Sequence, residues 1–524
     1  MGELPRETPA SERRQLAAAV IGGALHGLSF DLVLRPGAAG WLAPPLGLAG
    51  LGLFLWSFRG GADPRRRTLL GAAGMAAAAA TGLFWMSCIT FPAYIGIVVY
   101  LALYGAAFGA GAAVIRRGAG GWAFPWLAAA LWAALEFLRA RAFTGFPWLL
   151  AGSVWAGLPA AMGLADLGGV FLVSFATVLV AALVAAEKPE GLRRRGALAA
   201  AAALAALGYG LASSSVHRPA SADQPSPPLA VAAVQPLVPF KVGPKADPEA
   251  MLREQQALTA PIEPGSIALL IWSETMVPGD LLEEAPGRLA PIARAKRCHF
   301  LAGGVIHEKP AGGKPAGRAF NSAILLAPDG RIVGRYDKRH LVPFGEYVPW
   351  GGHVPGAGGI FQLIGTTFTP GDAARPLPAL AGVPLGLSIC YEDAFPHLAR
   401  RDAARGARLL INLTNDSWFR RSSEARQHLA LSAFRAVETR RPLVRATNTG
   451  ITAMADADGR ITAPTEGALW QKGLARFQVP VAAERRTLYV RVGDAFAWAC
   501  VAAAAAALLA GILRRRQEAP SPGP

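Results

Sequence analysis

The sequence predicts a protein of two parts, an α-helical transmembrane bundle and an α/β domain whose sheets are covered by helices. The first observation is composition: 52% of the 524 residues are hydrophobic, 17% are charged, and the mean hydropathy is +0.32. Such a chain is too apolar for an ordinary soluble enzyme. The second observation is distribution, because the apolar residues concentrate in 16–213 and 494–513 while 214–490 has the mixed composition of a globular domain. The third is the alternation of strand-like and helical patterns within that globular part.

Eight apolar segments are the predicted membrane spans. Most of them have close to the roughly 20 residues that cross a hydrocarbon core. The first follows a polar, arginine-containing start and has no small-residue cleavage site, so it is interpreted as an anchor and not as a removed signal peptide. The predicted spans are 16–34, 41–58, 69–88, 93–115, 122–140, 160–186, 197–213 and 494–513.

The distribution of arginine and lysine predicts how these spans are oriented. Basic clusters precede span one and follow spans two, four, six and eight, whereas the other loops carry only Arg35, Arg139 and Arg141. The positive-inside rule then places both termini in the cytoplasm and residues 214–490 outside. The formal net charge of +17 follows from these clusters. Because no nucleic-acid-binding motif accompanies them, a nucleic-acid partner is excluded.

The loop from Arg139 to Trp148 is unusually basic and aromatic for an outer connection. It is equally compatible with an interfacial aromatic anchor and with a lipid-contacting wall beside an active site. Glu136, inside the fifth span, is predicted to face the bundle interior or the outer surface, because a carboxylate that faces lipid is unfavourable.

The chain is therefore divided into a seven-span domain (1–213), a Ser- and Pro-rich linker (214–228), a catalytic domain (229–490) and an eighth span with its tail (491–524). Strands are predicted at 229–235, 267–272, 299–305, 321–327, 385–390, 408–413 and 443–447. Helices are predicted at 248–260, 281–297, 396–405 and 424–440.

Three residue types in the globular part suit acyl transfer. Cys390 ends an apolar strand, Glu274 follows the apolar run 268–272, and Lys338 lies in a polar segment. A carboxylate can take the thiol proton, while an ammonium favours the thiolate and stabilises an oxyanion. Singly, a lone cysteine is more often structural and the other two more often form surface ion pairs. His340 and His428 are alternative bases whose spacing does not favour them.

The four cysteines do not indicate a metal site. Cys88 and Cys500 lie in or beside apolar spans, no Cys-x-x-Cys or Cys/His spacing occurs, and a disulfide between Cys298 and Cys390 has no support from the sequence. No metal or other cofactor is expected.

Several motifs together resemble a known family. Trp272-Ser273-Glu274, Lys338 with Pro343-Phe344-Gly345-Glu346, and Cys390-Tyr391-Glu392 resemble the Glu–Lys–Cys signature of the nitrilase (carbon–nitrogen hydrolase) superfamily. Within it, the eight spans and the segments 145–148, 415–419 and 445–452 resemble the apolipoprotein N-acyltransferases.

This resemblance implies a nitrilase-like αββα sandwich with a defined set of site residues. Glu274 is the implied general base, Lys338 the oxyanion and thiolate stabiliser, and Cys390 the nucleophile. Supporting or substrate-binding roles are implied for Glu346, Tyr391, Glu392, Asn321 and Trp148. Two positions depart from the family pattern: the segment after Gln235 lacks an expected tryptophan, and Arg420 stands where glycine is frequent.

The implied reaction is the last step of bacterial lipoprotein maturation. An acyl chain passes from a membrane phospholipid, through a thioester, to the α-amine of the diacylglyceryl-cysteine of an apolipoprotein. The implied setting is the bacterial inner membrane, with a periplasmic catalytic domain and a monomeric enzyme. Two alternatives are weighed against it. An anchored nitrilase-type amidase for a small soluble amide would share the triad, and a transporter would need more intramembrane charge than Glu136, Asp166 and Asp31 supply.

Overall fold

The computed structural model describes most of the chain and resolves it into two compact units. The described residues are 8–59, 63–118, 122–185, 189–217, 227–238, 247–309, 317–349, 367–374, 377–463, 470–481 and 485–518. The helical unit comprises Met1–Val216, Ser422–Ala430 and Val492–Pro524, and the α/β unit comprises His217–Arg421 and Leu431–Arg491. The predicted linker falls largely outside the described residues, as does part of the segment after Gln235.

Each of the eight predicted spans coincides with a helix of the helical unit. Six candidate spans are long and apolar enough to cross a membrane by length and composition. The other two are Pro64–Gly82, which begins with three arginines, and Phe124–Arg139, which has only 16 residues. The helices are α1 Pro9–Leu32, α2 Ala38–Trp41, α3 Ala43–Trp56, α4 Pro64–Gly82, α5 Phe91–Gly118, α6 Phe124–Arg139, α7 Pro159–Met162, α8 Ala165–Val184, α9 Pro189–His217 and, near the end of the chain, Ala495–Glu518.

Glycines allow the helices of this unit to approach closely. A Cβ on Gly71 of α4 would lie 2.1 Å from the carbonyl oxygen of Gly105 in α5, and a Cβ on Gly105 would lie 2.2 Å from the carbonyl oxygen of Gly71. Small residues are the usual contact points of membrane helices, since lipid supplies no hydrophobic force that drives larger side chains together. The glycine-rich composition of the apolar segments thus has a packing role.

The α/β unit consists of two six-stranded sheets with helices around them. The first sheet has the order β12-β1-β2-β3-β4-β5 and the second the order β11-β10-β9-β8-β7-β6. The strands are β1 Leu229–Gln235, β2 Leu269–Asp280, β3 His299–Glu308, β4 Arg318–Leu326, β5 Ile332–Asp337, β6 Ala379–Leu380, β7 Val383–Ile389, β8 Leu409–Thr414, β9 Leu443–Thr447, β10 Ala453–Ala455, β11 Ile461–Thr462 and β12 Gly473–Val479. The further helices are α10 Pro248–Thr259, α11 Leu281–Glu284, α12 Ala290–Lys296, α13 Pro396–Ala404, α14 Glu424–Thr439 and α15 Leu488–Val492, so that Ala495–Glu518 is α16.

Two apolar layers hold this unit together. Val231, Ile271, Leu387 and Ile411 belong to a buried cluster that joins the inner faces of the two sheets. Leu252 of α10 and Ala293 of α12 belong to a second cluster on the other face of the first sheet. The alternation of apolar side chains along the strands produces these two faces. The predicted α/β class is confirmed, with face-to-face sheets and helices on the outside.

The strand boundaries differ from the predictions in places that concern the site. The prediction ends the second strand at residue 272, but β2 continues to Asp280 through a register shift against β3 between Trp272 and Val277. The prediction omits β5, β6, β10, β11 and β12. The first four are short or polar, whereas β12 alternates apolar and polar residues over 475–479, a strand pattern that the prediction misses. The core strands 229–235 and 443–447 have the predicted bounds.

Candidate active site

Cys390 lies at the carboxyl edge of the second sheet. The strands β7, β8 and β9 run parallel, so their carboxyl ends share one edge. β7 ends at Ile389, and Cys390 opens the short helical turn Cys390–Ala394. Its φ of +54° lies in the left-handed region, which a residue with a side chain adopts only when its surroundings enforce it. The predicted strand end thus becomes a tight elbow that carries the thiol.

Glu274 lies in the irregular part of β2. The regular pairing with β3 stops at Trp272, and Thr275 has a φ of +52°. The neighbouring strand accommodates this distortion through Gly303, where a Cβ would lie 2.5 Å from the carbonyl oxygen of Ser273. The register shift re-aims the side chains after Trp272.

Lys338 is buried between two carboxylates. Its Nζ lies 2.9 Å from Oε1 of Glu346 and 3.4 Å from Oε1 of Glu274. Asn321 Nδ2 donates hydrogen bonds to the same two oxygens, at 2.8 Å to Glu274 and 3.0 Å to Glu346. The side chain of Lys338 is only 1% exposed. The ammonium group of Lys338 therefore lies between the carboxylates of Glu274 and Glu346.

The electrostatics of this cluster connect it to the thiol. Burial alone would lower the pKa of Lys338, but the charges of Glu346, Glu274 and a Cys390 thiolate outweigh burial and raise that pKa. Burial raises the pKa of Glu274, and Lys338 opposes this change. Lys338 therefore stays protonated, while Glu274 holds a proton more tightly than an exposed glutamate does.

Glu392 ties the Lys338 segment to the Cys390 elbow. Its Oε1 accepts hydrogen bonds from the backbone N–H groups of Arg339 at 2.7 Å and His340 at 2.9 Å. Its Oε2 accepts from the Tyr336 hydroxyl at 2.6 Å and from the Ile389 N–H at 2.8 Å. Burial raises the pKa of Glu392, against the opposing charge of Arg339. One carboxylate thus fixes the residues directly beside both Lys338 and Cys390.

Both halves of the chain match family models. The carbon–nitrogen hydrolase family matches residues 230–487, and the apolipoprotein N-acyltransferase N-terminal domain matches residues 22–183. A protein from Geobacter metallireducens named apolipoprotein N-acyltransferase is 34% identical over 97% of this chain and 97% of its own length. The chain belongs to the apolipoprotein N-acyltransferase family.

Other relatives agree with this assignment. Proteins of the same name from Azotobacter vinelandii and Caulobacter vibrioides are 40% and 35% identical, over 76% and 94% of this chain and 74% and 89% of theirs. Among solved structures, an amidase from Nesterenkonia sp. matches 52% of this chain and 95% of its own, with 21% identity and a TM-score of 0.36.

The remaining residues predicted for the site lie in two places. Tyr391 follows the nucleophile, and its ring lies edge-on to Phe395 with the ring centroids 4.8 Å apart. Trp148 belongs to the helical unit, where it is buried beside Phe146, Trp85 and His428. The roles of Tyr391 and Trp148 in the site remain predictions.

The two alternative bases have other surroundings. His340 packs on Phe395 with ring centroids 3.8 Å apart. His428, in the helical unit, lies 3.3 Å from a carboxylate oxygen of Glu424. None of the four cysteines, all of which lie in the described part of the chain, forms a disulfide, so Cys298 and Cys390 are not joined.

The departure from the family pattern at Arg420 leaves the backbone in a glycine-like conformation. Its φ is +52° and its ψ is −155°, a combination that glycine adopts readily and a side chain opposes. Arginine is therefore accommodated at some cost in strain at the end of the turn Asp416–Phe419.

Sequence reasoning missed two polar residues next to the nucleophile. Asn412 of β8 donates a hydrogen bond from Nδ2 to the carbonyl oxygen of Cys390 at 3.1 Å. Arg445 of β9 is fully buried and donates from Nη1 to Oδ1 of Asn412 at 3.0 Å. A signal was present in the sequence, since each interrupts an otherwise apolar strand and a buried polar group needs a partner.

Proposed function

We propose that this protein transfers an acyl chain from a membrane phospholipid to the N-terminal α-amine of the diacylglyceryl-cysteine of apolipoproteins. Membership of the apolipoprotein N-acyltransferase family supports the overall reaction. The observation that carries the chemistry is the buried Lys338, which contacts Glu274 and Glu346 and interacts electrostatically with Cys390. The reaction is ping-pong, with Glu274, Lys338 and Cys390 as the catalytic residues.

The first half-reaction forms a thioester. Glu274 takes the proton from the Sγ of Cys390, and the thiolate attacks the ester carbonyl of the phospholipid. Lys338 and a backbone N–H beside Cys390 stabilise the oxyanion. When the tetrahedral intermediate collapses, the ester C–O bond breaks and Glu274 returns the proton to the lysophospholipid oxygen.

The second half-reaction releases the product and restores the thiol. The free α-amine of the lipoprotein attacks the thioester carbonyl, and the same donors hold the oxyanion. As the C–S bond breaks, Glu274 takes a proton from the attacking amine nitrogen and passes it to the departing sulfur, so that both Glu274 and the Cys390 thiol return to their starting states. Splitting the transfer into two steps lets one nucleophile serve two substrates that need not bind together.

The neighbouring residues hold this machinery in place. Glu346 shares the ammonium of Lys338, and its Oε2 accepts from the Val342 N–H at 2.8 Å. Asn321 orients Glu274, while Glu392 fixes the backbone on either side of the site. Tyr391 and Trp148 are assigned to substrate binding.

The setting follows from both substrates being lipids. The chain spans the bacterial inner membrane eight times, with Pro64–Gly82 as the third span and Phe124–Arg139 as the fifth, beside the six helices that satisfy length and hydropathy. Both termini are cytoplasmic, the catalytic domain is periplasmic, and the enzyme acts as a monomer. Anchored substrates then reach the site by diffusion within the membrane.

A mass measurement tests this proposal against an anchored amidase. Detergent-purified protein is incubated with phospholipid alone, and its intact mass is recorded. We expect a gain of one acyl group, absent in Cys390→Ala and retained in Cys298→Ala, a matched change at a buried cysteine of the same unit. A diacylated lipopeptide should then discharge the adduct. Absence of the adduct, together with hydrolysis of small amides, would contradict the lipid reaction.

A further inference from the structure

A second buried polar network lies next to the Cys390 elbow, formed by residues other than Lys338 and its two carboxylates. At its centre is Arg445 of β9, whose side chain is 0% exposed. Its Nη1 lies 2.8 Å from Oδ2 of Asp393, and its Nη2 lies 2.9 Å from Oδ2 of Asp416. Its Nη1 also donates to Asn412 Oδ1 at 3.0 Å and to Ser432 Oγ at 3.2 Å. The guanidinium thus joins β8, β9 and the turn that carries the nucleophile.

The chemistry of its neighbours fixes the orientation of the Asn412 amide. Arginine offers only donors, so the group that Asn412 turns toward Arg445 must be its oxygen. Its Nδ2 then faces two acceptors, the Cys390 carbonyl oxygen at 3.1 Å and Ser388 Oγ at 3.1 Å. A reversed amide would place donor against donor at Arg445 and acceptor against acceptor at Cys390. The direction of this side chain therefore depends on Arg445.

The bond to the Cys390 carbonyl constrains the next peptide group. A trans peptide is planar, so the C=O of Cys390 and the N–H of Tyr391 point in opposite directions. Anchoring the carbonyl oxygen on one side fixes where that N–H points on the other. This constraint matters because Cys390 holds a left-handed φ of +54°, from which an unrestrained residue would relax.

We propose that Arg445 is a positioning residue that acts through Asn412 to align the Cys390–Tyr391 peptide, so that the Tyr391 N–H meets the oxyanion. This inference rests on the proposed acyl transfer and names the groups that orient one of its oxyanion donors. Asn412 holds the near end of the turn Cys390–Ala394. Arg435 holds its far end, since Nη1 donates to the Ala394 carbonyl at 3.0 Å.

Two reactions of the same thiol separate alignment from thiol activation. Acylation by an ester passes through an oxyanion, whereas alkylation by iodoacetamide displaces iodide and forms none. Loss of alignment should therefore slow acylation and leave alkylation unchanged. Acylation is followed by intact mass with p-nitrophenyl butyrate and with phospholipid, and alkylation of Cys390 is followed by mass analysis of its peptide.

Asn412→Leu is the principal variant, because it keeps a side chain of similar size, adds no charge near the thiol and removes the donor to the Cys390 carbonyl. We expect acylation by p-nitrophenyl butyrate to fall by about 10-fold to 100-fold, while alkylation stays within about 2-fold. The loss should be smaller than the about 10²–10³-fold for outright removal of an oxyanion donor, because the N–H is kept and only misaligned. Arg445→Lys should show the same split, since one ammonium cannot reach both Asp393 and Asp416 with the geometry of a guanidinium.

Arg440→Lys is the matched control. Arg440 is also a buried arginine in an ion pair, with Nη1 2.6 Å from Oδ1 of Asp458, but Asp458 lies outside the turn that carries Cys390. Both reactions should keep their wild-type rates in this variant.

Other outcomes overturn the inference. Equal losses of acylation and alkylation in Asn412→Leu would show a general disturbance of the thiol, and unchanged rates of both would show that the bond does not matter. Failure of the proposed function can be distinguished from failure of this inference. If the proposed function is wrong, wild-type protein will be acylated by p-nitrophenyl butyrate but not by phospholipid. The comparison of variants with p-nitrophenyl butyrate would still decide the role of Arg445.

Discussion

Glu136 of the helical unit and the charged groups around Cys390 have different kinds of buried partner. In the helical unit, Glu136 accepts hydrogen bonds from Trp132 Nε1 at 2.8 Å, four residues away, and from the Ala151 N–H at 2.8 Å, 15 residues away. In the α/β unit, Lys338 meets Glu274 across 64 residues, and Arg445 meets Asp393 across 52 residues. These two contacts of Glu136 come from neutral donors near in sequence, whereas the pairs around Cys390 join charged side chains of distant segments and require strands to be in register.

This contrast separates packing from chemistry. The helical unit obtains close contact from backbone and small residues, as at Gly23, where a Cβ would lie 1.9 Å from the Gly74 carbonyl oxygen. The α/β unit holds charged side chains in a dry interior, where interactions between charges are strongest and unpaired charges most unfavourable. Substitutions at the helix contacts should therefore change stability, and substitutions among the charged side chains around Cys390 should change catalysis as well.

Removal of the central ammonium should have the largest effect. In Lys338→Met, Glu274 and Glu346 lose their shared cation, which should destabilise the α/β unit by about 3–5 kcal/mol. Acylation of Cys390 should fall by at least about 10²–10³-fold, as for loss of an oxyanion donor. Thermal unfolding and intact-mass kinetics measure the two effects.

The control for this change is Lys472→Met. Lys472 pairs with Glu254 at the surface and is 48% exposed, so its loss should change stability by about 0–1 kcal/mol and leave acylation unchanged. A Lys338→Met protein with wild-type acylation would exclude Lys338 from the chemistry.

Glu392→Gln should have the next largest effect. The carboxylate accepts four hydrogen bonds, and an amide would turn a donor toward at least one N–H or hydroxyl that now donates. We expect a loss of about 1–3 kcal/mol in the free energy of unfolding and a reduction of acylation by about 10-fold. Asp329→Asn, at an exposed carboxylate of the same unit, should change neither quantity. Wild-type behaviour of Glu392→Gln would show that the charge of this residue is dispensable.

The same contrast explains what the sequence can predict. The helices at the eight predicted spans follow from apolar segments, and β1 and β9 follow from apolar strands bounded by turn residues. Glu274, Lys338 and Cys390 each follow a recognisable local pattern, so their candidacy is visible before the structure. Their closeness is not, because it depends on the register shift after Trp272 and on the pairing of distant strands.

Asn412 and Arg445 illustrate the limit more sharply. Each is a polar residue in an apolar strand, and the sequence predicts only that each needs a buried partner. That the partner of Asn412 is the carbonyl of Cys390 follows from the parallel pairing of β7 and β8, in which Ser388 lies beside Asn412. Pairing order between strands far apart in sequence has no local signature.

A substitution in the helical unit tests the packing role of its glycines. Gly71→Ala would place a Cβ 2.1 Å from the Gly105 carbonyl oxygen, so α4 and α5 must move apart. We expect destabilisation by about 1–3 kcal/mol, measured by thermal unfolding in detergent. In the protein that remains folded, alkylation of Cys390 should proceed at the wild-type rate. Gly96→Ala is the control, since nothing lies within 4 Å of its Cβ, and it should be neutral or slightly stabilising. Equal stability of the two variants would contradict the packing role of Gly71.

The smallest expected effect is a shift in the pH dependence of acylation. Glu274 must be ionised to take the thiol proton, so acylation should rise as pH increases through its pKa and be lost as pH falls below it. Burial raises this pKa, and the hydrogen bond from Asn321 lowers it. Asn321→Ala removes the lowering contribution, so the ascending limb of the pH profile should move to higher pH, whatever the loss of plateau rate from a less well oriented Glu274.

Ser322→Ala is the control for this shift, because Ser322 is adjacent in β4 but donates to Asp337 at 2.7 Å. Its pH profile should match the wild type. If the limb in Asn321→Ala moves to lower pH or does not move, Glu274 is not the group whose ionisation controls acylation. A downward shift would instead indicate a base whose ionised form is destabilised by Asn321. That base would not be Glu274, because Asn321 Nδ2 donates a hydrogen bond to the Glu274 carboxylate and so stabilises its ionised form. The direction of the shift, more than its size, therefore decides whether Glu274 is the general base.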